Sequence, residues 1–333
     1  MHTSGRRSTL TDVARRARVS VSTVSRVVND RPVSDQALVA RVKQAAKELD
    51  YRPNDMARDF RRGRTSTIGV VVPDLANPFF PHVLKGLALN AGEGDHRLLV
   101  ADSNEDADEE LRLVEQLAGR CDGIVLCSPR MPDASLRRVA ALSLPVICTN
   151  RSVKGLGVGA IGIDTVPAMG RAIEHLHALG HRRVGYLAGP ASSWSDRLRR
   201  KGLTSAAQTH SVDLRVVVAG STSDDGYSAL PSLLEEGVTA LVAFNDLVAI
   251  GALSRLQQVG LSVPRDVSIV GCDDVPVAAF IGPPLTTVSL PKEELGKAAW
   301  ATLHQLMQGQ HVQSQQWLPS RLVVRESTAA ART

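Results

Sequence analysis

From Thr67 onward, short apolar runs alternate with amphipathic stretches, and the alternation occurs in two successive series. The first series carries IGVVVPD, HRLLVAD, GIVLCSP and LPVICTN, with EELRLVEQLAG and SLRRVAAL among the helical stretches between them. The second carries VGYLAGP, LRVVVAG, ALVAFND and VSIVGCDD, again with helices between. An apolar run without polar alternation suits a strand covered on both faces. Strands separated by helices pair in parallel. The pattern predicts two α/β halves, each a mostly parallel sheet. Ligands of such sheets bind outside the carboxyl ends of the strands. Polar residues stand at those ends: Asp74, Asn150, Asp164, Asn245, Asp273 and Asp274.

Residues 1–64 follow another pattern. They hold 15 Lys+Arg against 7 Asp+Glu, a net charge of +8, while the remaining 269 residues hold 24 against 27, or −3. A basic head on a near-neutral body points to an acidic polymer, nucleic acid before membrane. Thr9 is placed to cap a helix in a T-x-x-D box with Asp12, and Val13, Ala14 and Ala17 form its apolar stripe. Ser20 caps a second helix, Val21 to Asn29, whose Val24, Val27 and Val28 pack inward. Val21, Ser22, Ser25, Arg26 and Asn29 are left outward or sideways. Asp35 caps a third helix with a buried face of Leu38, Val42, Ala45, Ala46 and Leu49. Two short helices joined by a tight turn and braced by a third form a helix-turn-helix, and the second helix fits the DNA major groove.

Several other functions are disfavoured. No apolar run of about 18 residues is present to span a membrane. MHTSGRRSTLTDV has arginines but no apolar segment, so it is not read as a secretory signal. Cys121, Cys127, Cys148 and Cys272 form no C-x-x-C pair and read as core thiols of a reducing cytoplasm. GVGAIG (157–162) formally matches a dinucleotide loop but runs into the apolar AIGID rather than a helix, so no cofactor is expected. In HLHALGH, His175 and His177 point to different helix faces and His181 lies past Gly180, so no metal site is expected. G-x-S-x-G and Walker A motifs are absent, and no catalytic constellation stands out.

The ordered series TLTDVARRARVSVSTVSRVVND, AAKELDYRPNDMAR, IGVVVPDLANPFF, EHLHALGHRRVGYLAGP, SDRLRRKGL, AFNDLVAIGAL, GCDD and PPLTTV resembles the lactose-repressor (LacI/GalR) family of bacterial transcription regulators. The resemblance implies an all-α helix-turn-helix head (1–52) joined by a hinge helix and linker (53–66) to a core (67–333). That core is periplasmic-binding-protein-like, with parallel-sheet subdomains at about 67–164 and 165–290 and the C-terminal segment crossing back. It also implies a cytoplasmic, nucleoid-associated repressor, not an enzyme. Such a repressor binds a palindromic operator as a homodimer and answers to a small sugar or related effector. A solute-binding protein of a sugar transporter is the alternative, but it has no use for a basic head.

Carried across position by position, the resemblance gives Val21, Ser22 and Arg26 the base edges, with Arg26 able to fork onto guanine. Thr9, Ser20, Thr23, Ser25 and Asn29 become candidates for phosphate contacts. In the hinge, Asn54 caps a short helix that includes Ala57. Phe60 takes the minor-groove wedge position where relatives usually have Leu. A helix this short is below the roughly 12–15 residues that persist alone in water. In the core, Phe79 and Phe80 form an apolar wall and Asn150 replaces a usual Asp. Ser193, Ser195 and Arg199 lie at the mouth of the second half, Asn245 and Asp273 end its later strands, and Trp194 is a candidate to stack on a sugar face. A second aromatic common in relatives is missing near Thr222. Arg, Asn and Asp among aromatic walls suit a polyhydroxyl ligand, because each hydroxyl both donates and accepts.

Overall fold

The computed structural model describes residues 8–28, 32–51, 65–92, 94–151, 155, 158–312 and 315–332. The chain divides into two compact units, Met1–Thr65 and Ser66–Thr333.

In the first unit, α1 (Leu10–Ala17), α2 (Val21–Val28) and α3 (Gln36–Glu48) enclose Val13, Ala14, Ala17, Val24, Val27, Val42 and Ala45. The apolar spacing explains the packing, and the caps explain the limits. Thr9 and Asp12 make the reciprocal box at the start of α1. Ser20 Oγ accepts from Thr23 N at 3.1 Å, and Asp35 accepts from Ala37 N and Leu38 N. Arg18, with φ 55°, turns the chain sharply between α1 and α2. Leu38, Ala46 and Leu49, expected on the buried face of α3, are only partly buried. Asn29 and the hinge residues Asn54, Ala57 and Phe60 lie outside the described residues.

The second unit holds two six-stranded sheets. The first contains β1 (Thr67–Val72), β2 (Arg97–Asp102), β3 (Gly123–Cys127), β4 (Val146–Thr149) and β5 (Gly159–Asp164), joined late in the chain by β11 (Gln316–Pro319). Its order is β11-β5-β4-β3-β1-β2, and every pairing is parallel. The second contains β6 (Arg183–Ala188), β7 (Asp213–Val218), β8 (Ala240–Ala243), β9 (Ser268–Asp273) and β10 (Thr286–Ser289), with β12 (Arg321–Val323) antiparallel at its edge. Its order is β12-β10-β9-β8-β6-β7. All eight apolar runs named above form strands in these sheets, and AIGID forms most of β5. The short β10, β11 and β12 carry no comparable sequence signal.

The chain passes between the subdomains after β5, after β10 and between β11 and β12. Helix α11 (Lys292–Met307) follows β10 of the second sheet yet packs on the first, against α4 (Phe79–Gly92) and strands β3, β4 and β5. After β12 the chain returns to the second subdomain, where Ile269 N donates to Ser327 O at 2.8 Å and Ala331 N to Leu179 O at 2.8 Å.

Glycines set how closely the covering helices approach. A Cβ on Gly86 of α4 would stand 2.1 Å from Glu293 O of α11, and one on Gly296 of α11 would stand 2.1 Å from Val83 O. The second subdomain repeats the device in α9 (Ser223–Glu235) and α10 (Asp246–Gln258). There a Cβ on Gly226 would meet Val248 O at 2.1 Å, and one on Gly251 would meet Ser223 O at 1.8 Å. The obstacle in each case is backbone, which cannot rotate aside. Gly251→Ala should therefore push α9 and α10 apart and destabilise the chain by about 1–3 kcal/mol or more, as overpacking does. Gly119→Ala, with nothing within 4 Å of the new methyl, should stay within about 0.5 kcal/mol of the parent. Urea denaturation of both variants tests this, and equal midpoints would contradict it.

Candidate functional site

On the first unit, α2 presents one polar face. Val21 is 43% exposed, Ser22 and Arg26 are exposed, and Thr23 and Ser25 are half-buried. Ser20 Oγ lies 2.7 Å from Ser22 Oγ and 2.8 Å from Thr23 Oγ1, which fixes a hydroxyl cluster at the start of the helix. Thr9, although exposed, is engaged by Asp12 as the cap of α1. Arg26 is thus an extended cation on an exposed face whose opposite side, Val24 and Val27, is buried.

On the second unit, a cleft opens between the two sheets. Its walls come from the carboxyl ends of successive strands. Asn77, Phe79 and Phe80 follow β1, Glu105 follows β2, Ser128 and Arg130 follow β3, and Asn150 follows β4. Opposite them, Ser195 and Arg199 follow β6, Ser221 follows β7, Phe244 and Asn245 follow β8, and Asp273 ends β9. The backbone is in the left-handed region at Glu105 (φ 60°), Ser128 (φ 48°), Asn150 (φ 51°) and Asp273 (φ 110°). Such conformations cost of order 1–3 kcal/mol each in non-glycine residues and collect at functional sites.

Seven residues expected from sequence line this cleft: Phe79, Phe80, Asn150, Ser195, Arg199, Asn245 and Asp273. Phe79 and Phe80 meet edge to face, with centroids 5.2 Å apart. Arg199 Nη2 donates to Asp273 Oδ1 at 3.1 Å, with both side chains buried, and its guanidinium lies 4.3 Å from the Phe244 ring centroid. Lys292 Nζ donates to the carbonyls of Asp273 and Asp274, fixing the bend after β9. Asn245 caps α10 through Val248 N and donates to Ser221 O, both at 2.8 Å. Asn150 accepts from Ile163 N at 3.1 Å and donates to Ser128 Oγ at 3.3 Å.

Two expected residues are placed elsewhere. Ser193 is buried and caps α8 (Trp194–Thr209) by accepting from Asp196 N. Trp194 does not line the cleft, and the guanidinium groups of Arg151 and Arg197 lie 5.9 Å and 5.7 Å from its ring centroid. Of the strand-end acids, Asp74 turns back on Ala76 N, Asp164 on Val166 N, and Asp274 pairs with Arg325.

Sequence reading missed Asn77, Glu105, Ser128, Arg130, Ser221 and Phe244. It also missed Glu110, buried beneath the cleft, which accepts from Arg130 N at 3.0 Å and Met131 N at 2.8 Å. Nothing local in NEDADEE marks which of its acids turn inward. The histidines separate as expected. His175 bonds Thr328, the His177 ring lies tilted against that of His210 with centroids 5.0 Å apart, and buried His181 contacts Thr239, Ser268 and Ala329. Among the described residues no group of three or more His, Cys, Asp or Glu is placed to hold a metal, and no helix is long and apolar enough to cross a membrane.

Comparison with known proteins bears on both units. Residues 9–54 match the family described as "Bacterial regulatory proteins, lacI family", and residues 173–328 match "Periplasmic binding protein-like domain". The HTH-type transcriptional repressor CytR of Escherichia coli (strain K12) is 34% identical over 331 residues, covering 97% of each chain. The chain belongs to the LacI family. The Lac repressor dimer, solved bound to operator and the anti-inducer ONPF, superposes with a TM-score of 0.87 at 30% identity, covering 98% of this chain and 100% of that one. The transcriptional regulator CelR, solved as a cellobiose complex, superposes at 0.71 with 30% identity, covering 96% of this chain and 100% of that one. This LacI-family chain is thus homologous to transcriptional repressors, and its relatives are regulators rather than enzymes.

Burial raises the carboxyl pKa values around the cleft. Glu110 is pushed up to about 7 by desolvation, against the hydrogen bonds from Met131 and Arg130. Burial also lifts Asp273 to about 6 and, together with the charge of Asp273, Asp246 to about 8. Between 4.5 and about 7, the folded chain keeps a proton on Glu110 that the unfolded chain releases. This contribution to stability is fully present below 4.5 and is lost as pH rises through 7. Glu110→Gln removes the titration. Its stability relative to wild type should therefore rise between pH 5 and pH 8, read from urea midpoints at each pH. A difference that stays flat would contradict the buried, neutral Glu110.

Proposed function

We propose that this chain is a ligand-responsive transcriptional repressor. It acts in the cytoplasm, associated with the nucleoid, and binds a palindromic operator as a homodimer through α2. A small sugar or related polyhydroxyl compound, held in the cleft between the two sheets, controls it. The observation that carries this reading is the convergence of eight strand-end segments, with paired charges, amides and three phenylalanines, in the same chain as a helix-turn-helix head. A two-fold dimer suits a palindrome, since each head contributes one recognition helix. The solute-binding alternative leaves the basic head and its ordered hydroxyl and arginine face without a task.

The roles of individual residues follow from their chemistry. Arg26 has the fork that reads guanine O6 and N7, worth roughly 1–3 kcal/mol of discrimination. Val21 suits a thymine methyl, and the hydroxyls of Ser20, Ser22, Thr23 and Ser25 suit phosphate or permissive base contacts. Thr9 and Asn29 complete the phosphate-contacting set. Asn54, Ala57 and Phe60 form the hinge contact in the minor groove. In the cleft, Arg199 and Asp273 offer donor and acceptor side by side, as a sugar diol requires. The phenylalanines give the apolar faces of a ring a place to rest.

Arg199→Ala and Asp273→Asn should lose ligand response and keep operator binding, whereas Arg26→Ala should keep ligand response and lose operator specificity. A thermal-shift panel of neutral sugars and nucleosides, followed by calorimetry and operator titration at fixed salt, separates the two. Unchanged ligand affinity in both cleft variants would move the site elsewhere, and an undiminished specificity ratio in Arg26→Ala would displace α2 from the major groove.

A further inference from the structure

Among the described residues the cleft contains two cations, Arg199 and Arg130, and each meets an acid of the same wall or its neighbour. The pair at Arg130 is built differently from an ordinary surface bridge. Its side chain is 4% exposed, and its guanidinium presents Nε and Nη2 in parallel to the two carboxylate oxygens of Glu105. That is the fork with which arginine takes a phosphate or carboxylate from a ligand.

Both partners are held by their backbones. Asn104 and Glu105 adopt φ values of 51° and 60°, two consecutive left-handed residues without a glycine. The turn is pinned by Ser103 N on Val72 O, Asn104 N on Asp102 Oδ1 and Glu105 N on Pro73 O. On the other side, Arg130 Nη1 donates to Ser128 O at 2.8 Å, Ser128 has φ 48°, and Arg130 N is held by buried Glu110. A bridge whose only task was stability would not need strained turns on both sides. Strain of this kind is kept where a group must stand in one place.

We propose that Glu105 is a built-in anion that occupies the recognition fork of Arg130 and so restricts the cleft to uncharged ligands. An incoming phosphate ester or carboxylate finds no free guanidinium there and meets a fixed carboxylate. Hydroxyl groups still find donors and acceptors. The proposal rests on the cleft being the effector site, and it makes Glu105 the residue that distinguishes a sugar or nucleoside from its phosphorylated form.

Inorganic phosphate is the probe, because it asks about the fork without requiring the effector to be known. Binding of phosphate to the full chain is measured by calorimetry at constant ionic strength, with chloride as the reference anion. Wild type should show no saturable binding at this site. Glu105→Gln frees the fork and should bind phosphate more tightly by on the order of tenfold or more, and Glu105→Gln with Arg130→Met should lose that binding. Should Glu105→Gln fold too poorly to titrate, Glu105→Asp, which withdraws the carboxylate by one methylene, carries the same test. Saturable phosphate binding by wild type that Arg130→Met abolishes would overturn the proposal. So would a folded Glu105 variant that gains no phosphate affinity. A neutral ligand whose affinity ignores both Arg199 and Asp273 would instead overturn the cleft assignment, whatever phosphate does.

Discussion

Arg199 and Asp273 meet 3.1 Å apart, almost entirely out of water. Removing two charges from solvent costs several kcal/mol per ion, and a buried pair repays that only with good geometry and further hydrogen bonds. Much of the second subdomain supplies those conditions. The Phe244 face lies against the guanidinium, and Lys292 grips the carbonyls on either side of the bend at Asp273. Among the described residues, Arg199 Nε nevertheless has no hydrogen-bond partner. A donor buried at the lining of a cleft and not satisfied by the protein is in place for a ligand acceptor. In the function proposed above, the pair serves as a preset recognition element rather than as a source of stability.

Rigid halves make such an element useful. Glycine contacts in α4 with α11 and in α9 with α10 bring helix backbones together without an intervening side chain, which leaves little room for relative sliding. Because α11 belongs to the first subdomain although it follows β10 of the second, a change in cleft width must be absorbed at 165, 290–291 and 320. Glu293, at the start of α11 just after the second crossing, pairs with Lys85 in the middle of α4.

The architecture was largely legible in the sequence because it depends on short-range regularities. Caps at Thr9, Ser20 and Asp35, valine spacing in α2 and unbroken apolar runs each have one inexpensive structural solution. Strand ends were legible for the same reason, and they brought Asn150, Asn245 and Asp273 to the cleft. What was not legible depends on distant partners. Glu105 joins Arg130 across 25 positions, and its turn uses left-handed backbone at Asn104 and Glu105, where no glycine gives notice. Ser193 and Trp194 illustrate the converse. Their place beside Ser195 suggested the cleft, but one hydroxyl is consumed by a helix cap and the indole turns to two arginines. A one-residue step along the start of a helix changes direction by about 100°, and local sequence does not say which neighbour faces the ligand.

Coupling between cleft and operator is then a matter of differential affinity. A ligand moves an equilibrium only by as much as it prefers one state, and about 1–3 kcal/mol of coupling corresponds to a 5–150-fold change in DNA affinity. The most direct measurement is the reciprocal one. A neutral compound that stabilises the wild-type chain is titrated calorimetrically into the full-length protein, free and saturated with operator duplex. Its dissociation constant should change by the same factor by which the compound changes the operator dissociation constant. Identical ligand affinity for the free and the DNA-bound protein would mean that the cleft does not govern the head.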